Sequence, residues 1–350
     1  MRGVKKEIRN KPRILAQVYE LIDKVAFTRK NFSVLSLRLY LQFQVSRFRF
    51  QDLVMQEFSN LIRYCAERFY HLPMCQQCPM GQCRCAGGAD CYNCLRYIHD
   101  KTNNVHRYPC EKITYNYVLK HGHRYASEIS NAVSLTTPYL NLTLPVSVLS
   151  VGCGPSPELY GALDALQNVT VNYWGFDTSN VWQNIQDFNR QNLAHLSGMR
   201  QYLPDDFIDF VRRTNSGADI LILSYFFSDF IKFHPAECQQ FVIDLAQLIC
   251  EGRFHFVIIN DIPLFYNSGT AYYCMELLAR QLKDTQQMRF ITVRRHFAIP
   301  NEFQFPYGKK QDDALRFPIV EQDVRPFSPF GTCGSIQMLI RTVRQNPQHP

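Results

Sequence analysis

The chain has 350 residues, 46% of them hydrophobic and 19% charged, a balance that supports a sizeable core and excludes wholesale disorder. Its net charge of +8 is concentrated: residues 1–50 carry twelve Lys/Arg against three acids, a net of +9, and the other 300 residues sum to −1. No stretch reaches the roughly 18 uninterrupted apolar residues that span a bilayer; the richest, Ala218 to Phe227, runs into Ser228 and Asp229, and the chain reads as soluble.

Residues 1–71 read as a basic, mainly helical region. Ile14, Leu15, Val18, Tyr19, Ile22 and Val25 share one helical face. Leu35, Leu37, Leu39, Leu41, Phe43 and Val45 then alternate with Ser36, Arg38, Tyr40, Gln42, Gln44 and Ser46, a period of two that reads as a strand, with a helix as the alternative that Leu-rich sequence favours. Leu53, Val54, Phe58, Leu61, Ile62, Cys65 and Phe69 return to helical spacing. No compact apolar segment follows the first basic residues, so the reading is intracellular, cytoplasmic or nuclear. Lys24 to Arg49 is basic and free of acids, as a mitochondrial leader would be, although Glu7, Glu20 and Asp23 precede it. Such an arm attracts phosphate-rich partners or an anionic surface; the alternative is a solvated helix face.

Residues 72–112 form a cysteine-rich segment. Of thirteen cysteines, seven lie within 36 residues, and Cys75-x2-Cys78 and Cys91-x2-Cys94 are separated by twelve residues. One such pair aims two thiolates at a common ion, and two pairs complete a tetrahedral shell, so these four are candidate zinc ligands. Cys83, Cys85, Cys110 and His99 are further candidates, and an iron–sulfur cluster uses the same four-thiolate set. Disulfides and unligated thiols are the alternatives, the former disfavoured in a reducing compartment. Arg and Tyr interleaved through the segment suit stacking on bases and contact with phosphate, or packing on a neighbouring domain.

Residues 113–144 read as a connecting helix, and residues 145–350 change grammar. Val146–Val151, Val169–Phe176, Ala218–Leu223 and Phe254–Asn260 are apolar runs of strand length, with helices expected after Pro157, over Asn180–Phe188, from Pro235 to Cys250 and from Ala271 to Leu282. Met288–Phe297 and Ile336–Val343 read as two closing strands. This alternation predicts an α/β fold with a doubly wound, mostly parallel sheet. The first strand ends in Gly152-Cys153-Gly154-Pro155 and opens a helix, a turn that lets a ligand approach the backbone. Asp177 follows Gly154 by 23 residues at the end of the second strand, where an acid can bind both hydroxyls of a ribose.

With these residues in place, 145–343 resembles a class I S-adenosylmethionine-dependent methyltransferase. Leu149–Pro155 resembles that superfamily's first motif, Tyr173–Asp177 its second, and Ala218–Phe230 the fourth strand and the loop facing the methyl group. The resemblance implies an antiparallel terminal hairpin and S-adenosylmethionine as cofactor, held by Gly152, Cys153, Gly154, Pro155, Asp177 and Ser224. Ser150 stands where the superfamily often has an acid, and Ser156 where it often has a third glycine. A dinucleotide-binding dehydrogenase uses a similar turn, but its third glycine would fall at Pro157.

The methyl-facing loop lacks the Pro-Pro of base-amino methyltransferases, so an exocyclic adenine amine is not supported. Tyr225 and Asp229 are candidates for orienting a nucleophile; the structural alternatives are a pocket wall and a helix cap. Asp205 and Asp206 could meet an adenine amine or cap the following helix. The resemblance, the basic arm and the cysteine-rich knot together predict methyl transfer to a macromolecule, RNA or a ribonucleoprotein ahead of protein. A small-molecule methyltransferase and an inactive methyltransferase-fold binding module are the alternatives.

Overall fold

The structure, a computed structural model, describes residues 34–72, 91–92, 95, 108, 110–262, 271–284, 291–294, 314–320 and 322–342. The chain divides into two compact units, residues 1–49 and 50–350; of the first, only 34–49 are described, and they are helical.

Helix α1 spans Val34–His71. It corrects the strand expected over Leu35–Val45. No β-branched residue occurs between Leu35 and Gln44, so the alternation lacks the χ1 stiffness that favours a strand, while Leu, Arg and Gln are good helix formers. Helix α2 covers Glu111–Ser134. The sheet then begins: β1 (Val146–Val151), α3 (Pro157–Ala165), β2 (Val171–Phe176), a short 3-10 turn at Asn180–Trp182, α4 (Gln183–Asn192) and β3 (Arg200–Leu203). The second half contains α5 (Phe207–Thr214), β4 (Ala218–Ser224), α6 (Phe227–Phe233), α7 (Pro235–Cys250) and β5 (Phe254–Asp261). Helix α8 (Ala271–Asp284), β6 (Ile291–Arg294) and β7 (Ile336–Thr342) complete it.

Seven strands form one sheet in the order β3-β2-β1-β4-β5-β7-β6. β3, β2, β1, β4 and β5 pair in parallel, while β7 is antiparallel to both β5 and β6. This is the doubly wound sheet with an antiparallel terminal hairpin that the sequence predicts. Chain order reverses between β1 and β4, so the crevice beyond their carboxyl ends is the topological switch point where such sheets bind ligands.

The central strands are apolar on both faces because helices cover both. Val148, Ile220, Ile222, Phe256 and Ile258 share a core with α2, α3 and the later part of α1. Leu149, Val151, Leu221, Leu223, Val257 and Ile259 face the other way, into a core with α5, α6, α7 and α8. Alternate residues of each strand thus sort onto opposite faces, each buried aliphatic side chain contributing about 1.5–3 kcal/mol.

Helix α2 docks on α3 at Gly161, where a Cβ would run into the Ala126 carbonyl oxygen and lie 2.9 Å from the Ser130 nitrogen. Beside it the Ser130 hydroxyl donates to Asp164 Oδ2 at 2.5 Å, and Arg316 Nε donates to the same oxygen at 3.0 Å. No described helix is long and apolar enough to cross a membrane.

The Gly161 contact is with backbone, which cannot swing aside. Gly161→Ala is therefore expected to lower the unfolding free energy by about 1–3 kcal/mol, the usual cost of overpacking. Urea denaturation checks this as a lowered midpoint at unchanged slope.

Candidate functional site

The turn after β1 is built by backbone geometry and held by side chains of α4. Gly152 has φ +62°, and a Cβ there would meet Phe226 Cδ2 at 2.7 Å. The Gly154 amide donates to Asp177 Oδ2 at 2.8 Å, and the Ser179 amide donates to Asp177 Oδ1 at 2.9 Å. One carboxylate thereby ties the β1 turn to the β2 turn. Gln186 Nε2 donates to the Gly154 carbonyl at 2.9 Å, and Asn189 Nδ2 donates to the Pro155 carbonyl at 2.9 Å. Cys153 is buried with its thiol pushed well up by burial, which suits a backbone role and not a nucleophile.

The helix that follows brings an acid to Ser150. Glu158, in the first turn of α3, is fully buried, and its Oε1 accepts the Ser150 hydroxyl at 2.8 Å and the Tyr173 hydroxyl at 2.9 Å. Burial raises its carboxyl to about 7, against the opposing pull of those hydrogen bonds.

A cleft of about 750 Å³ opens at the switch point. All six residues expected to hold a cofactor line it: Gly152, Cys153, Gly154, Pro155, Asp177 and Ser224. Tyr225 and Asp229 line it as well, so the candidates from β1, β2 and β4 converge on one cavity. Asp205 and Asp206 lie at its edge, where Asp206 caps α5 by accepting the Asp209 amide at 3.0 Å. Asp229 stands in the first turn of α6, but Asp261 is the acid that accepts from that turn, taking the Ser228 amide at 3.0 Å. Asp261 also accepts the Ile262 amide at 2.7 Å, and burial lifts its carboxyl to about 7.

Of the candidate metal ligands, Cys75, Cys78, Cys83, Cys85, Cys94 and His99 lie outside the described residues. Cys91 is buried and Cys110 half-buried, with the Cys91 carbonyl accepting from Asn116 Nδ2 at 2.7 Å. Among the described residues no group of three or more His, Cys, Asp or Glu is placed to hold a metal ion.

Neither a protein family nor a curated protein matches the sequence. Among solved structures, the chain is similar to magnesium protoporphyrin IX methyltransferase from Synechocystis with bound S-adenosylmethionine. That match has 14% identity and a TM-score of 0.38, covering 63% of this chain and 80% of the other. It is similar also to the plantazolicin methyltransferase BpumL in complex with S-adenosylhomocysteine, at 13% identity, covering 83% of this chain and 100% of that one, with a TM-score of 0.38. A methyltransferase homologue from Pyrococcus horikoshii matches at 14% identity over 61% of this chain and 67% of its own, with a TM-score of 0.36.

Sequence reasoning overlooked the contribution of α2, read only as a connector. Tyr117 and Tyr125 line the cleft from this helix, the Tyr117 ring packing on Trp182, which lines it too. The signal was present: Tyr117, His121 and Tyr125 recur every four residues, the spacing of one helix face, and their rings pack in series.

Glu158 and Asp261 both have folded-state values above their unfolded ones, so each stabilises the fold when protonated. That stability is fully present below the unfolded values of 4.5 and 3.8 and is lost as pH rises through about 7. Each group is worth on the order of 3 kcal/mol across that window. The melting temperature is expected to fall between about pH 5 and pH 8. Glu158→Gln, which keeps the acceptor and removes the charge, should flatten part of that decline in thermal scans.

Proposed function

We propose that the chain is an S-adenosylmethionine-dependent methyltransferase whose cofactor lies in the cleft at the β1/β4 switch point. The observation that carries this reading is Asp177, at the end of β2, with its carboxylate clamping the Gly152–Gly154 turn and lining the same cavity. The residues present suit the cofactor. The left-handed Gly152 leaves backbone open to the cleft, and the Asp177 carboxylate, an acceptor suited to ribose hydroxyls, lines the same cleft. Gly152, Cys153, Gly154 and Pro155 would hold the amino-acid portion, with Ser224 at the methyl-facing edge. Asp205 and Asp206, which also line the cleft, would be the acids available to an adenine amine, Asp206 serving besides as the cap of α5.

When bound, S-adenosylmethionine supplies a methyl carbon whose bond to sulfur breaks as the acceptor's lone pair forms the new one, the old pair staying on sulfur. The protein's work is alignment and exclusion of water. Asp177 and the β1 turn set the position of the donor, and the aromatic walls from α2 and α6 enclose it. Asp229, which lines the cleft, would be the carboxylate to orient a nucleophile or receive its proton.

The charge of residues 1–50, net +9, favours a macromolecular acceptor, RNA ahead of protein. The two Cys-x2-Cys pairs extend the proposal to a structural zinc site on Cys75, Cys78, Cys91 and Cys94.

Calorimetric titration with S-adenosylmethionine tests the cofactor reading. Saturable binding is expected for the wild type. Asp177→Ala, removing charge-assisted hydrogen bonds of about 1.5–3 kcal/mol each, is expected to weaken it at least ~10-fold. Folded wild-type protein that does not bind would overturn the reading. For the acceptor, RNA affinity is expected to fall steeply with salt and to fall again when Lys and Arg of residues 1–50 are neutralised. Affinity indifferent to both would exclude an RNA acceptor held by the arm.

A further inference from the structure

Tyr225, the first residue after β4, has φ +54°. A left-handed backbone costs a residue with a side chain roughly 1–2 kcal/mol, so the surrounding contacts must impose it. Three do. The Tyr225 amide donates to the Asn260 carbonyl at 2.6 Å at the end of β5. Its hydroxyl donates to Glu128 Oε2 at 2.9 Å. Its ring stacks on Tyr125, with centroids 3.8 Å apart and planes inclined by 18°.

Glu128 is itself fully buried and gathers the neighbouring segments. Its Oε2 also accepts Asn260 Nδ2 at 3.1 Å, and its Oε1 accepts the Gly334 amide at 2.7 Å, just before β7. Arg124 Nε approaches Oε1 at 3.9 Å while its guanidinium lies over the Phe330 ring and donates to the Thr332 carbonyl. One side chain of α2 therefore meets the ends of β4 and β5 and the approach to β7. The Tyr225 hydroxyl is committed to this network, and the stacked pair of Tyr125 and Tyr225, each 8% exposed, lines the cleft.

Resting on the cofactor reading above, we infer that the stacked Tyr125–Tyr225 pair is the surface that recognises the methylated sulfonium of the donor, and that Glu128 is the positioning residue that holds it there. A sulfonium is a cation, and cations are attracted to aromatic faces by about 0.5–2 kcal/mol. The demethylated product, S-adenosylhomocysteine, carries a neutral thioether and gains none of that attraction. The pair thus distinguishes donor from spent donor, favouring exchange of product for fresh cofactor. Glu128 acts through Tyr225, by holding its hydroxyl and, by way of Asn260, the backbone beside it.

The test is calorimetric binding of S-adenosylmethionine and, separately, S-adenosylhomocysteine to the full chain and its variants. The readout is the ratio of the two dissociation constants. Tyr225→Leu is expected to erode the preference for the methylated form by about 3- to 30-fold, the loss of one cation–aromatic contact. Tyr225→Phe keeps the ring and cuts only the bond to Glu128, and Glu128→Gln keeps the volume and removes the charge. Both are expected to erode the ratio by about 2- to 10-fold, the scale of one hydrogen bond. Asp177→Ala should weaken both ligands alike and leave the ratio unchanged, as a merely structural lesion would. Should Glu128→Gln fail to fold, Tyr225→Phe carries the test, since it alters no packing. A wild type that binds both ligands, with a ratio unmoved in Tyr225→Leu and Tyr225→Phe, overturns this inference and leaves the cofactor reading standing. A folded wild type that binds neither ligand overturns both.

Discussion

The two loops that flank the crevice interlock at a single contact. The Phe226 ring occupies the space where residue 152 would carry a Cβ, only 2.7 Å from that position. Gly152 must be glycine twice over, for its left-handed φ and for this neighbour. The contact couples the turn after β1 to the turn after β4 directly, side chain against backbone. Because Asp177 also binds the Gly154 amide, all three strand ends around the crevice are fixed relative to one another. The cavity is a consequence of those two ties, which keep the strand ends apart at a set spacing instead of letting the loops close over the sheet.

Much of this was legible in the sequence because it is local. Val146–Val151 and Ala218–Ser224 are apolar runs of strand length; glycine turns bound the first, and the acid at Asp177 ends the strand between them. Helix α7 was readable to its first and last residue, since Pro235 opens it and its apolar residues recur at helical spacing up to Cys250. What escaped is what depends on distant partners. β3 is a four-residue edge strand with only Arg200 buried, so it has little hydrophobic pattern to read. α6 has no capping residue of its own; Asp261, 33 residues later, accepts its exposed amide. The strand expected at Leu35–Val45 failed for a different reason, since alternation is only a weak signal in a Leu-rich run with no β-branched residue before Val45.

The site was legible in the same uneven way. Gly152, Gly154 and Asp177 stand close to the turns they form, and their roles follow from type and spacing. Glu158 brings a carboxylate to Ser150 from the next helix, eight residues on, and accepts its hydroxyl. A one-dimensional motif registers the serine and not its partner. Glu128 was out of reach for any local rule, because its partners Tyr225, Asn260 and Gly334 are 97, 132 and 206 residues away.

These distant acids share a physical character. Glu128, Glu158 and Asp261 are all fully buried at the carboxyl edge of the sheet, and burial raises all three carboxyls. Buried acids are a poor means of stabilising a fold, since desolvation offsets much of what their hydrogen bonds contribute. Their return is directional. An apolar side chain at 128 would fill the same volume and contact the same neighbours, but it could not accept from a tyrosine hydroxyl, an asparagine amide and a backbone amide at once. Only an acceptor with several lone pairs holds those three groups at fixed angles, and only such a grip keeps Tyr225 in a backbone conformation it would otherwise leave. The same reasoning places α2 within the site. A helix that merely covered the sheet could have been apolar on its inner face, whereas this one carries Tyr117, Tyr125 and Glu128 inward, among residues that also pack the core. Its docking on α3 at Gly161 therefore sets more than stability. It sets the height at which Glu128 meets the strand ends, and through Tyr225 the shape of the cleft.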